Sequence, residues 1–433
     1  MNPFKQYTAV DDFTSALYIN NGHIEFVIKY DGVILLDDEN TNGLLYVVKN
    51  GWQSQCWLKD ISTPYMIWTG CCGPIEPLDS NKLNSSIIEN FKQYGLTFIL
   101  YEPLSTYRSE IKNQFVDHLN YDQFESDETN LNNLYSYELD SIQMFAERIN
   151  FQGKIKVLTC HYGIEKYFQR NYPQLELQCQ DIFVSTDSFT EHNYRNLWPS
   201  KIPHKRFICL NRRYTGVRHL AMLYLASTNN FYTGTYSWNI ITDIGYLDNK
   251  LWFDFSSWRQ LQSKYFWRIH NAVEKLNDVV PLTLDDHIPK PYFIGDKDRK
   301  DPPASSWRIP KFAYAEAFAA IVTETRFAEP MANFSEKTIN AIKAHRPFVL
   351  FAPPNTLQYL HKLGFKTFGE FWDESYDHEL CHELRLMKIF DVIDHIDSMT
   401  YNDVKYTLEK MKPILEHNAE VLTYLSYRFP TLY

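Results

Sequence analysis

Two short apolar runs, IVTE at 321–324 and FVLF at 348–351, flank the amphipathic segment NFSEKTINAIKAH, and this alternation limits the fold more than any other feature of the chain. FVLF is a continuous apolar run, as expected for a strand buried on both faces of a parallel sheet. IVTE reads as a second buried strand whose last residue, Glu324, emerges at the carboxyl edge. Between them Ser335 is placed to cap a helix, so that Glu336 and Lys337 fall in its first turn. The free amides and the positive end of the helix dipole make that turn an anion site, and Lys337 adds a full charge. After FVLF, Leu357, Leu360 and Leu363 recur at helical spacing up to Gly364, which reads as the C′ residue. Strand, helix, strand, helix is a unit of an open α/β sheet, and such sheets bind ligands at the carboxyl edge.

The stretch resembles the donor-binding half of GT-B glycosyltransferases. The nearest pattern is that of the α1,3-fucosyltransferases: a strand ending in a Glu-containing motif, a loop, Thr-Glu-Lys opening a helix, then proline and an apolar strand. Those elements here read VTET, SEKTINAIKAH and PFVLF. The segment LGFKTFGEFWDESYD is more similar to a family of glycosyltransferases of large bacterial viruses. The resemblance covers roughly the last third of the chain. It implies that Glu336 holds nucleotide ribose hydroxyls and Lys337 the diphosphate. The fucosyltransferase motif has Phe-Glu-Asn where this chain has Val-Thr-Glu at 322–324, which leaves the role of Glu324 open.

The 433 residues exceed one ordinary core, and two domains are the natural division. Three β-like runs lie in residues 24–48, the first two separated by Asp31-Gly32, a two-residue hairpin signal. LTFILYEPL and IKVLTCHYG read as buried strands and LDSIQMFAERI as a helix, an alternation that argues a parallel or mixed α/β sheet. The irregular stretch 190–205 marks the boundary. RFICLNRRYTGVRHLAMLYLAS follows as the first strand–loop–helix of the second domain, with Arg212, Arg213, Arg218 and His219 in or beside the loop. FAYAEAFAA reads as a helix. Residues 382–397 form a helix with Leu386, Ile389, Phe390, Ile393 and Ile396 on one face, and a second helix begins near 402 with Pro413 marking a kink or break. The expected architecture is therefore α/β and GT-B-like, two Rossmann-like domains with an interdomain cleft. An acceptor-side domain would occupy 1–200, a nucleotide-sugar domain 201–395, and a helical segment crossing back 396–433.

Transfer of a sugar from a nucleoside diphosphate needs charge compensation on the departing diphosphate and, for inversion, a base for the acceptor hydroxyl. Lys337, the helix amides and an arginine of the 212–213 loop, Arg213 in preference to Arg212, supply the first without a metal, since no convincing DxD pair lies near the donor strands. Glu324 and Ser335 complete the donor set. The base is open among Glu102, Asp37, Asp38 and His161, all at or near the ends of predicted strands, where a carboxylate is more often a cap or turn residue. The WDESYD segment either caps the donor base or braces the domain.

The expected donor is a nucleoside diphosphate sugar, UDP favoured on general usage, and no further cofactor is required. The likeness to virus-encoded proteins brings forward a 5-hydroxymethylated pyrimidine in double-stranded DNA as acceptor of a hexose or pentose such as glucose or arabinose. Two basic clusters, Lys201, His204, Lys205, Arg206 and Lys297, Arg299, Lys300, would neutralise phosphates around a flipped base. The net charge of −10 argues against generic nucleic-acid binding. A protein or surface-glycan acceptor fits the residues equally, and a non-catalytic sugar- or nucleotide-binding module is the alternative outside the enzymes. Seven cysteines without metal-ligand spacing point to a reduced cytoplasmic protein. No apolar run reaches the roughly 18 residues that span a bilayer, and no signal-peptide core opens the chain.

Overall fold

The computed structural model describes residues 134–159, 161–179, 203–211, 216–238, 263–277, 311–324, 326–327 and 329–428, together with the backbone of short strand and helix segments elsewhere. The chain divides into two units, Met1–His118 with Asp127–Asp187 and Tyr427–Tyr433, and Leu119–Ser126 with Ser188–Ser426.

In the first unit a seven-stranded mixed sheet runs in the order Leu175–Cys179, Ile155–Thr159, Leu96–Leu100, Pro64–Thr69, Gln53–Lys59, Gly43–Asn50, Val33–Asp38. The first four strands are mutually parallel, and the last four form an antiparallel meander. The helix Tyr137–Arg148 starts at Ser136, whose hydroxyl accepts from the Leu139 amide. It buries Leu139, Ile142 and Phe145, an i, i+3, i+6 stripe.

The expected hairpin at Asp31-Gly32 does not form. Strand His23–Phe26 pairs instead with Ala16–Asn20, with Asn20 opposite His23, in a three-stranded sheet separate from the one containing Val33–Asp38. Only Asn21-Gly22 separates those paired ends, and Asn-Gly is a stronger two-residue hairpin signal than Asp-Gly placed between runs that find other partners.

The second unit holds a five-stranded sheet, all of it parallel. Its strands are β1 (Lys205–Asn211), β2 (Thr235–Trp238), β3 (Tyr292–Phe293), β4 (Ala317–Thr323) and β5 (Phe348–Phe351). The spatial order is β3-β2-β1-β4-β5. The chain thus builds outward from β1 in one direction and then returns to build from its other side, the doubly wound order with a switch point between β1 and β4. Seven helices belong to this unit: α1 (Gly216–Ala226), α2 (Ser263–Asn277), α3 (Lys311–Glu316), α4 (Glu336–Lys343), α5 (Thr356–Lys362), α6 (His382–Ser398) and α7 (Tyr401–Arg428).

Every residue of β4 and β5 is buried, which is why both read as unbroken apolar runs. The helical expectation for FAYAEAFAA holds only as far as Glu316. Ala317–Ala320 are strand residues, registered Lys205↔Ala317 and Ala320↔Phe348 against the neighbours. Alanine prefers helix by only tenths of a kcal/mol per residue over most others, less than two ladders of backbone hydrogen bonds in a dry interior provide.

The loops and helices around the sheet are pinned by buried polar groups. Arg346, fully buried, donates from Nε to the Tyr314 carbonyl at 2.5 Å and from Nη2 to that of Ala315 at 3.3 Å, satisfying the end of α3. Asp397 in α6 takes the Asn229 and Asn230 amides at 3.0 Å each and the Asn230 side chain at 2.9 Å. The Tyr224 ring of α1 stacks on Phe390 of α6 at 3.8 Å. Helix α5 ends in a Schellman motif: the amides of Gly364 and Phe365 donate to the carbonyls of His361 and Leu360, with Gly364 at φ 96°. Helix α7 runs unbroken through Pro413. Its buried positions 404, 408, 411, 415, 418, 422 and 425 alternate by four and three, and that seam on both sides of the proline offsets the one lost hydrogen bond.

Candidate functional site

The switch point lies between the carboxyl ends of β1 and β4. There the last residues of the two strands meet, Thr323 donating its hydroxyl to the side-chain oxygen of Asn211. Asn211 also donates to Cys209 Sγ at 3.3 Å. Burial pushes the Cys209 thiol up to about 12, against the pull of that bond and of the nearby Arg218 charge. Cys209 is therefore an inert core thiol. Arg212 and Arg213 follow Asn211 directly but lie outside the described residues. Arg218 and His219, in the opening turns of α1, are buried.

Beyond β4, Glu324 is 3% exposed and its carboxylate faces the next helix rather than solvent. Its Oε1 accepts from the Ser335 amide at 2.9 Å and from the Thr338 hydroxyl at 2.6 Å, and its Oε2 accepts from the Ser335 hydroxyl. The strand end is thereby stapled to the helix start. The resemblance left the role of Glu324 open, and its contacts make it the residue that positions the cap. Ser335 caps α4 as expected, its oxygen accepting from the Lys337 amide at 3.3 Å.

Glu336 and Lys337 open the helix side by side, both half-buried. Lys337 Nζ lies 2.8 Å from Glu336 Oε1 and 3.1 Å from Ser335 Oγ. Burial opposes ionisation of Glu336, but the Lys337 charge and the hydrogen bonds from Lys337, Ser335 and its own backbone outweigh it, leaving the carboxyl below the ordinary range. The first turn therefore carries a charged acid and a charged amine on a fixed cap. An anion docking on the amides has Lys337 at hand, and a hydroxyl donor has Glu336.

The loop from Glu324 to Ser335 holds a second pair. Glu329 is 4% exposed, and Arg326 Nη1 stands 3.4 Å from its Oε1. Burial raises the Glu329 pKa, with Arg326 the chief opposing influence. Between them Phe327 is fixed by Arg385 of α6, whose guanidinium lies over the Phe327 ring at 4.3 Å and donates to the Phe327 carbonyl. Burial lowers the Arg385 pKa to about 10. Sequence reading missed Asn211, Thr338, Arg326, Glu329 and Arg385. Asn211 alone left a signal, as the polar last residue of an apolar strand.

The WDESYD segment serves as a brace. Asp377 accepts from the Leu357 and Gln358 amides at 2.8 and 3.0 Å, supplying the cap that Asn355, at φ 63°, does not. Glu374 accepts from the Thr367 hydroxyl at 2.6 Å and the Phe368 amide at 2.9 Å. The N-terminus of α5 is thus closed by the chain's own carboxylate, whereas that of α4 carries a lysine.

Of the four candidate bases, His161 is buried two residues beyond Ile155–Thr159, its amide donating to Thr159 Oγ1 at 3.3 Å. Asp37 and Asp38 end the edge strand Val33–Asp38, opposite Leu44 and Gly43, with only their backbone described. Glu102 lies outside the described residues. In the first basic cluster Lys205 pairs with Glu316 at 2.7 Å and donates to Thr235 at 3.0 Å. Arg206 donates to the Met399 carbonyl at 2.5 Å, and its burial lowers its pKa against the pull of Asp397 and Asp403. Both cations are engaged inside their own unit, so only the exposed His204 of the described members is open to a phosphate. Lys201, Lys297, Arg299 and Lys300 lie outside the described residues. No group of three His, Cys, Asp or Glu side chains among the described residues is arranged to hold a metal, and no described helix is long and apolar enough to cross a membrane.

No family model matches the chain, and neither a curated protein nor a solved structure matches it at a significant level.

Proposed function

We propose that the chain is a GT-B glycosyltransferase that takes its sugar from a nucleoside diphosphate, UDP in preference, bound at the carboxyl edge of the β3-β2-β1-β4-β5 sheet. The observation that carries this reading is the fixed first turn of α4. Ser335, held by Glu324, caps a helix next to the β1–β4 switch point, and Glu336 and Lys337 present an acid and an amine there. In this reading Lys337 exchanges its bond to Glu336 for a diphosphate oxygen. Glu336, released, accepts from the ribose hydroxyls. Arg213, one residue removed from the end of β1, adds the second positive charge.

The acceptor oxygen then bonds to the sugar's anomeric carbon as the bond from that carbon to the diphosphate breaks. The bonding pair leaves with the diphosphate, and the acceptor's proton passes to a base. Positive charge around the departing oxygens lowers the barrier without reorganisation at the moment of transfer.

A 5-hydroxymethylated pyrimidine in DNA stays the acceptor of first choice from the virus-like segment 363–377. The engagement of Lys205 and Arg206 weighs against the first basic cluster as its phosphate site. The test is direct. The protein is warmed with a panel of nucleoside diphosphates, since a ligand that binds only the folded state raises the melting temperature. UDP or another nucleoside diphosphate should raise it for the wild type and much less for Lys337→Ala. Incubation with nucleotide sugars and plain or hydroxymethylcytosine-containing duplex, followed by nucleoside mass analysis, should give a sugar adduct on the modified base alone. Failure of every nucleotide to stabilise the chain defeats the enzyme reading; an empty mass assay alongside nucleotide-sugar hydrolysis defeats only the DNA acceptor.

A further inference from the structure

Glu329 occupies a position that folding alone does not reward. It is 4% exposed, and neither carboxylate oxygen takes a hydrogen bond of standard geometry. Its charge partner, Arg326 Nη1, stands at 3.4 Å, beyond the 2.7–2.9 Å of a good charge-assisted bond. A buried acid so poorly compensated is costly, and a free loop would turn it out to water. This loop is not free. One side is stapled by Glu324 to Ser335 and Thr338, and its middle is clamped at Phe327 by Arg385.

The missing compensation has a definite chemistry. Arg326 already balances the charge, so a metal or a second cation is not what the site lacks, and an anion would be repelled. Short neutral donors are lacking, and the same loop leads into the helix turn assigned to the nucleotide.

We propose that Glu329 is a specificity-determining residue that accepts hydrogen bonds from the hydroxyls of the sugar carried by the nucleotide. The proposal rests on the donor-site reading above. Arg326 is a positioning residue that keeps the carboxylate ionised and oriented. The unsatisfied acid in the ligand-free chain is the reserve that sugar binding draws on, a frequent trade of stability for function.

The experiment compares wild type, Glu329→Gln and Glu329→Asp in melting temperature and in affinity for UDP and for a set of UDP-sugars. E329Q should fold, with a melting temperature at or above that of wild type, because it removes a poorly compensated buried charge while Arg326, at 15% exposure, can turn to solvent. Its affinity for free UDP should be unchanged. The additional affinity that the correct sugar confers should fall by about ten- to a hundredfold, the loss expected for one hydrogen bond to a charged group. E329D, which keeps the charge but withdraws the oxygens, should lose the same increment.

Destabilised or unfolded E329Q, or equal losses for UDP and UDP-sugar, would show a structural ion pair and overturn the proposal. So would an undiminished sugar increment in both variants. A wild-type chain that binds no nucleoside diphosphate defeats the donor-site reading itself and the subsite with it. Nucleotide binding without a Glu329 effect defeats the subsite alone.

Discussion

Replacing Glu324 with Gln tests whether the candidate site is organised from the end of β4. Three donors converge on that buried carboxylate: the Ser335 amide and the Thr338 hydroxyl on Oε1, and the Ser335 hydroxyl on Oε2. With the amide oxygen of Gln in the place of Oε1, two of these bonds survive at neutral strength. The NH2 in the other place meets the Ser335 hydroxyl, which already accepts from the Lys337 amide and ammonium and now loses the acceptor for its own proton. Exchanging three bonds to a charged acceptor, each worth roughly 1.5–3 kcal/mol, for two neutral ones worth roughly 1 kcal/mol should cost about 2–4 kcal/mol after credit for the desolvation recovered. Ser335→Ala removes the helix cap and one of the same bonds, for about 1–2 kcal/mol. Because either change breaks the Ser335–Glu324 bond, the double variant should be less damaged than the sum by about 1–2 kcal/mol. Native-state hydrogen exchange of peptides covering 335–343 reads these values locally, free of the unfolding of the other unit. Additivity within about 0.3 kcal/mol, or a loss for E324Q under about 0.5 kcal/mol, would refute the staple.

Three further outcomes are expected. Asp377→Asn should weaken protection of the α5 amides by about 1 kcal/mol through the lost cap while leaving the UDP-induced melting shift intact; a lost shift would return the WDESYD segment to the donor base. Arg346→Met should destabilise the second unit by about 3 kcal/mol or more in urea unfolding, because the carbonyls of Tyr314 and Ala315 lose buried donors; a cost near zero would mean that water replaces the guanidinium. Glu336 has a folded pKa below its unfolded value, so its contribution is present above the ordinary carboxylate range and lost as pH falls through the depressed value. The stability gap between wild type and Glu336→Gln should therefore close on acidification. A gap that widened would contradict the Lys337 pairing.

What the sequence disclosed of this fold was local. Ser335 and Gly364 were legible because a cap and a C′ residue are set by a few neighbouring backbone groups, and the runs at 205–211 and 348–351 because double burial removes polar residues. Ala317–Ala320 misled because their strand state is imposed by Lys205–Ile208 and Phe348, over a hundred residues before and some thirty after. Arg346 and Arg385 had no signal at all, since an arginine in an amphipathic pattern looks solvated until the carbonyls it faces are known. The same holds for Glu324 and Glu329, one spent on a helix cap and the other held with little compensation. Their difference lies in what the loop folds around them.

The order of the parallel strands also sets a timetable for synthesis. β1 is the first strand of its sheet to be made, yet one of its two neighbours, β4, begins at Ala317, and Asp397, which secures the turn after α1, lies 168 residues beyond Asn229. At roughly 5–20 residues per second, β1 waits on the order of 5–20 s with an open edge and an apolar helix beside it. Ribosome-bound chains stalled before residue 311 should therefore be cut readily by protease within 205–226, and chains stalled after residue 428 has emerged should resist. Equal resistance at both lengths would mean that β1 and α1 settle without β4. If the early chains are vulnerable, this protein depends during its making on whatever shields a nascent strand, long before its ligand can help to hold it together.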